Sequence, residues 1–132
     1  MHGISLLVLS DRLAICRLSP ESPLPEPPAG GGLWSVTRTA DELSVVLPES
    51  ALRPAWEDRE DFKAETGWRA LRVEGTLDFA LTGILAALAT PLAAAGVSLF
   101  AVSTYDTDYV LVRERDLDKA TAALTAAGHT VR

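Results

Sequence analysis

FALTGILAALATPLAAAGVSLFAVSTY, Phe79 to Tyr105, runs for 27 residues without a charged side chain, and the way it divides decides the fold. As one helix it would exceed the roughly 18 to 20 apolar residues that cross a bilayer. Gly83, Pro91 and Gly96 interrupt it, however, and past Gly96 its character changes from Ala/Leu-rich to β-branched and aromatic. The stretch therefore reads as a buried helix, a glycine turn and a buried strand. From Asp78 to Ala95, Leu81, Ile84, Leu85, Leu88, Leu92 and Ala95 recur at helical spacing, with Asp78 or Thr82 as the N-cap. Pro91 has no N–H to give and is expected to kink or split this helix. Gly96 ends it.

Working outward, VSLFAVS (97–103) and Tyr109 to Arg113 are two strands joined by the polar turn TYDTD. Asp116 to Ala127 is a second helix with Leu117, Ala120, Thr121 and Leu124 on one face, stopped by Gly128, and His129 to Val131 is a short last strand. Upstream, RALRVE (69–74) alternates apolar and charged residues as a half-buried strand does. Strand, helix, strand, strand, helix, strand is the ferredoxin-like split βαβ order. It is an α+β class with an antiparallel sheet and both helices on one face.

The N-terminal half carries a weaker copy of the same unit. Displaced by 66 positions, LWSVTRTADELSVV (33–46) lies over LFAVSTYDTDYVLV (99–112), and the strand Ile4 to Leu9 lies over Ala70 to Gly75 without a gap. The segment matching the first helix holds Pro20, Pro23, Pro25, Pro27, Pro28 and the run Gly30 to Gly32, which no helix tolerates. The expected organisation is thus a degenerate unit over 1–66 and a complete unit over 67–132. In the first, Arg12 to Leu18 forms an extra strand, 19–32 an extended Pro/Gly-rich loop, and 49–67 a charged connector with one short helix. A half-built copy leaves apolar sheet surface to be buried elsewhere, and a homodimer is the expectation.

Twelve basic and 18 acidic residues give a net charge of −6, which disfavours nucleic acid and anionic membrane surfaces as partners and favours a cationic ligand slightly. The lone Cys16 excludes an internal disulfide, and His2 and His129 offer no metal-ligand spacing. The N-terminus has no basic region before ISLLVL, so no signal peptide is expected, and the chain reads as cytoplasmic. Neither histidine sits in a catalytic motif, Cys16 lies in an apolar strand pattern, and Gly30 to Gly32 lacks the helix and lysine of a phosphate loop. No enzyme and no cofactor is expected.

TRTADELSVV (37–46), GTLDFALTGILAAL (75–88) and STYDTDYVLV (103–112), in that order and spacing, resemble the small bacterial ACT-domain proteins of the CASTOR type. Their relatives include a eukaryotic cytosolic arginine sensor and the regulatory ACT domains of aspartate kinases. Two departures are visible: Ala40 stands where the pattern often has an acidic residue, and Pro91 interrupts the helix. The resemblance implies tandem ACT units that bind a free amino acid at an ACT–ACT interface and regulate without catalysing. It places the ligand against Gly75, Leu77, Asp78, Phe79, Leu81, Thr82 and Gly83 on one side, and Ser103, Thr104, Tyr105, Asp106 and Asp108 on the other.

The residues themselves support such a site. The helix start presents unpaired N–H groups for a carboxylate, Gly83 admits close approach, and Asp106 or Asp108 can pair with an ammonium. Asp108 is the favoured partner, because the displacement of 66 matches it to an acidic position in the first copy. The competing readings are a plain hairpin whose Asp and Thr bond their own backbone, and an assembly module with a decayed ligand site.

Overall fold

The computed structural model describes residues 3–75 and 83–132. Eight strands (β1 Ser5–Val8, β2 Leu13–Leu18, β3 Ser35–Arg38, β4 Leu43–Pro48, β5 Lys63–Val73, β6 Leu99–Ser103, β7 Asp108–Arg113, β8 Thr130–Val131) alternate with three α-helices, α1 Pro54–Glu57, α2 Ile84–Ala94 and α3 Leu117–Ala126. The chain divides into two compact units, Met1–Ser10 with Arg69–Arg132, and Asp11–Trp68.

The first unit is the βαββαβ array read from the sequence, with one strand added. β6 pairs antiparallel with β7, and β7 also pairs β5. In the ferredoxin-like order the last strand would flank β5, but here β1 lies between them, antiparallel to β5 (Leu6 opposite Val73) and parallel to β8 (Leu6 opposite Val131). The strand near the N-terminus, expected in the first copy, thus completes the sheet of the C-terminal unit. Leu71, Val73, Val110 and Val112 join Leu88 and Leu92 of α2 and Ala120 and Leu124 of α3 in one core, so both helices cover the same face.

Both helices stop in the same way. Gly96 and Gly128 take φ of 75° and 95°, the left-handed region that side chains avoid. The next amide reaches back five residues, from Val97 N–H to Leu92 O (2.9 Å) and from His129 N–H to Leu124 O (3.0 Å). These are Schellman closures, and the glycines in the sequence marked them.

Pro91 does not split α2, which runs through it from Ile84 to Ala94. Its missing N–H leaves the Ala87 carbonyl without its partner four residues on. His129 fills the gap: Nε2 lies 3.1 Å from Ala87 O, while Nδ1 accepts the Ile4 N–H at 3.0 Å. An acceptor at Nδ1 requires the proton on Nε2, so the buried imidazole is the neutral tautomer that donates to Ala87. One side chain ties α2 to the chain entering β1.

The second unit is an antiparallel sheet in the order β3-β4-β2-β5, with a bulge between Leu13 and Ile15. Ala14, Cys16 and Leu18 alternate onto one face with Leu43, Val45 and Leu47, beneath Trp56 of α1. Trp56 meets Phe62 at 6.2 Å between ring centroids and carries the Arg53 guanidinium 5.8 Å above its own ring. The Pro/Gly-rich loop has no regular structure, as its composition predicts, and is held by Arg38, which donates to the carbonyls of Pro20 and Ser22. The connector departs from expectation at its end. Residues 63–67 belong to β5, and Lys63, Ala64 and Glu65 pair with β2, although this largely exposed run, in which Lys63 and Glu65 are charged, carries no apolar alternation.

Replacing His129 by alanine should destabilise the protein by about 1–3 kcal/mol in denaturant titrations, because it strands the Ile4 N–H and the Ala87 carbonyl. In a Pro91→Ala background the cost should be smaller, since the substituted residue returns a backbone N–H to the Ala87 carbonyl, and a double-mutant cycle reads the difference. Burial also raises the Cys16 thiol from 9.0 to about 11. The folded state disfavours its thiolate, so Cys16 contributes stability that is complete below pH 9 and disappears as pH rises to 11. Melting temperature should fall across that window more steeply in the parent than in Cys16→Ala.

Candidate functional site

The hairpin of β6 and β7 is closed by the pair Ser103 and Asp108, leaving the four-residue turn Thr104 to Thr107. The turn is organised by its first residue. The Thr104 N–H donates to Thr107 O at 2.8 Å, and Thr104 Oγ1 both accepts the Thr107 N–H at 3.2 Å and donates to Thr107 O at 3.1 Å. Thr107 then donates its own hydroxyl to the Val73 carbonyl at 2.6 Å, a buried bond that ties the turn to the end of β5.

The β3–β4 hairpin builds the same turn from Thr39 to Glu42, closed by Arg38 and Leu43. The Thr39 N–H donates to Glu42 O at 2.9 Å, and Thr39 Oγ1 accepts the N–H groups of Asp41 and Glu42 at 3.1 and 3.2 Å. The equivalence fixes the internal register. Thr39 corresponds to Thr104 and Asp41 to Asp106, a displacement of 65 rather than the 66 drawn from the sequence, because 104 − 39 = 65. Asp108 therefore matches Leu43, and the acidic position common to both turns is that of Asp106.

Asp106 also lines a cavity. Arg72, Val73, Gly75, Thr104, Asp106, Thr107 and Tyr109 line a space of about 390 Å³ between the end of β5 and the hairpin, within the range of small-molecule sites. Gly75 turns the chain away from β5 with φ 85°. Of the expected site residues, Gly75, Thr104 and Asp106 are brought together here. Asp108 pairs with Ser103 at the start of β7, Tyr105 is 80% exposed, and neither they nor Gly83 line the cavity. Leu77, Asp78, Phe79, Leu81 and Thr82 lie outside the described residues, and with them both expected N-caps. The N-cap of α2 is Gly83, with φ 80°, and it supplies no side-chain cap.

Arg72, Val73, Thr107 and Tyr109 were not anticipated. Thr107 and Tyr109 lie within STYDTDYVLV, where the carboxylates drew the attention. Arg72 belongs to RALRVE, where a charged residue in alternation signals only a solvent-facing position. Arg72 and Asp106 supply opposite charges to one cavity, and among the described residues neither enters an ion pair. A cation and an anion with hydroxyl-bearing side chains around them suit a small zwitterion. No group of three or more His, Cys, Asp or Glu that could hold a metal occurs among the described residues, and no helix there is long and apolar enough to cross a membrane.

Comparison with known proteins agrees with this architecture. An ACT-domain family model matches residues 63–126, and a separate N-terminal-domain model matches 11–52. A solved protein from Agobacterium tumefaciens is 35% identical and superposes with a TM-score of 0.88 over 100% of this chain and 94% of its own. The human putative protein CASTOR3P is 28% identical over 70% of this chain and 61% of its own length. Human cytosolic arginine sensor for mTORC1 subunit 1 is 32% identical over 64% of this chain and 27% of its own. The chain thus spans less than two thirds of the length of these curated human relatives. With the βαββαβ array, the family model and this similarity along the full chain, the protein belongs to the ACT-domain family and is of the CASTOR type.

Proposed function

We propose that this chain is a non-enzymatic regulatory protein that binds a free amino acid in the cavity between the end of β5 and the β6–β7 hairpin. The observation that carries the reading is the lining itself, with Arg72 and Asp106 in one cavity of about 390 Å³ and no ion pair at either among the described residues. An α-ammonium fits Asp106, and a charge-assisted bond of this kind contributes roughly 1.5–3 kcal/mol. The similarity to a protein named an arginine sensor supports amino-acid sensing as the class of function. A cytoplasmic location and a homodimer complete the proposal. In this reading each chain carries one such site, in its complete unit.

The alternative is an assembly module in which the turn serves only packing. One observation favours it: both hairpins use the same threonine-organised turn, so the turn is sound structure without any ligand.

A thermal-shift panel over the twenty free amino acids separates the two. A ligand at 100 times its dissociation constant stabilises the fold by about 2.7 kcal/mol, several degrees in a domain of this size. Asp106→Asn should remove that shift while leaving the unliganded melting temperature within about two degrees, because the turn is held by Thr104 and Thr107. A flat response to all twenty would exclude the sensor reading. Light scattering after size exclusion should return about twice the 14.1 kDa chain mass, and a monomer would remove the dimer from the proposal.

A further inference from the structure

We propose that residues 22–28, SPLPEPP, form a polyproline II ridge that docks in an aromatic-walled groove, basic at its rim, on a partner protein. The sequence narrows these residues to one conformation. Pro23, Pro25, Pro27 and Pro28 have φ fixed at about −65°, and Ser22, Leu24, Glu26 and Pro27 each precede a proline, which turns them toward extended or polyproline II backbone. Every residue of the segment is thereby constrained. The pattern of burial matches. A polyproline II helix has three residues per turn, so residues three apart share an edge. Ser22 and Pro25 are buried and Pro28 is half-buried, whereas Pro23, Leu24, Glu26 and Pro27 are exposed. One edge of the helix lies on the protein and two face solvent.

The buried edge is fastened. Arg38 donates to the carbonyls of Pro20 and Ser22, and Arg59 donates to Ser22 Oγ at 3.4 Å. One exposed edge carries Leu24, 62% exposed, and Pro27, about 9 Å further along at the rise of this helix. The other carries Pro23 and Glu26. A groove that receives a three-edged helix touches two edges, and the third points away from it. Here the third is the edge the protein already holds, so docking disturbs none of these bonds, and the ridge arrives ordered. Charge selects the partner. The loop 19–32 holds Glu21 and Glu26, both exposed, and no basic residue. Glu26 meets Arg53 at 3.7 Å, but its side chain is 87% exposed, and an ion pair in water is weak enough for a partner's cation to replace. A rim of lysine or arginine complements this ridge, and an acidic rim opposes it. The ridge shares no residue with the cavity that Arg72 and Asp106 line, so this inference is independent of amino-acid binding.

The probes are isolated domains of the SH3, WW and EVH1 kinds, which read polyproline through aromatic grooves. One basic-rimmed example of each is titrated into the isotope-labelled full chain and followed by amide NMR. At least one should bind and shift the amides of Leu24 and Glu26, which carry the N–H groups between Pro23 and Pro28. Leu24→Ala should weaken that binding by about tenfold or more. Glu26→Gln should weaken it by about two- to fivefold, and by less at high salt. Both side chains are exposed, so neither substitution should move the melting temperature by more than about two degrees. Failure of all three domains to bind overturns the inference. Binding to a synthetic peptide of residues 20–29 but not to the chain also overturns it, because the edge being read is then the one the fold covers. Undiminished binding to Glu26→Lys overturns the basic rim. A parent dimer that Leu24→Ala turns into a monomer in size exclusion gives the ridge to a second copy of this chain, and overturns the separate partner.

Discussion

The bond from the Thr107 hydroxyl to the Val73 carbonyl, 2.6 Å long and buried, determines what the rest of the site can be. It joins the tip of one hairpin to the last residue of β5. Arg72, on β5, and Asp106, in the turn, thereby line the same cavity. A methyl in place of that hydroxyl would leave a buried carbonyl unpaired, so turn and strand are held by need as well as by attraction.

A second constraint reaches β5 through β1. Pro91 is a poor residue for a helix interior, and its presence makes sense once His129 is seen donating to the carbonyl that proline leaves free. The same imidazole receives the Ile4 N–H, so a defect in α2 becomes a fastening for β1. β1 in turn flanks β5 through Leu6, Leu7 and Val8 opposite Val73, Arg72 and Leu71. The main chain that carries Arg72 is therefore held along one edge by β1 and tied to the turn at its end.

Much of this was legible in the sequence. Apolar periodicity and the glycine stops at Gly96 and Gly128 marked both long helices and the strands of the C-terminal unit, because those residues bury one regular face. What was not legible depends on backbone pairing rather than side-chain pattern. Residues 63–67 form strand although Lys63 to Thr66 are exposed and Lys63 and Glu65 are charged, because Lys63, Ala64 and Glu65 pair with β2. The membership of β1 in the C-terminal unit follows from partners that no local pattern names. Of the residues that line the candidate cavity, Thr104 and Asp106 of the turn stood out in the sequence, whereas Arg72 looked like any outward-facing residue of a strand. The one-residue slip between the hairpins hid the correspondence of Asp41 and Asp106, because matching the strands' apolar residues misaligns the turns.

The placement of β1 also orders events as the chain folds. Ser5 is paired with Thr130, and Leu6 with Val73 on its other side, so this strand waits for partners that are far along the chain. The hairpins close over four-residue turns and form early by comparison, since short loops cost little entropy to close. During synthesis residues 4–8 emerge long before their last partner, which arrives only when Arg132 has been added. Until then an apolar strand of the future core is unpaired and exposed, which is the stage at which such chains meet chaperones or one another.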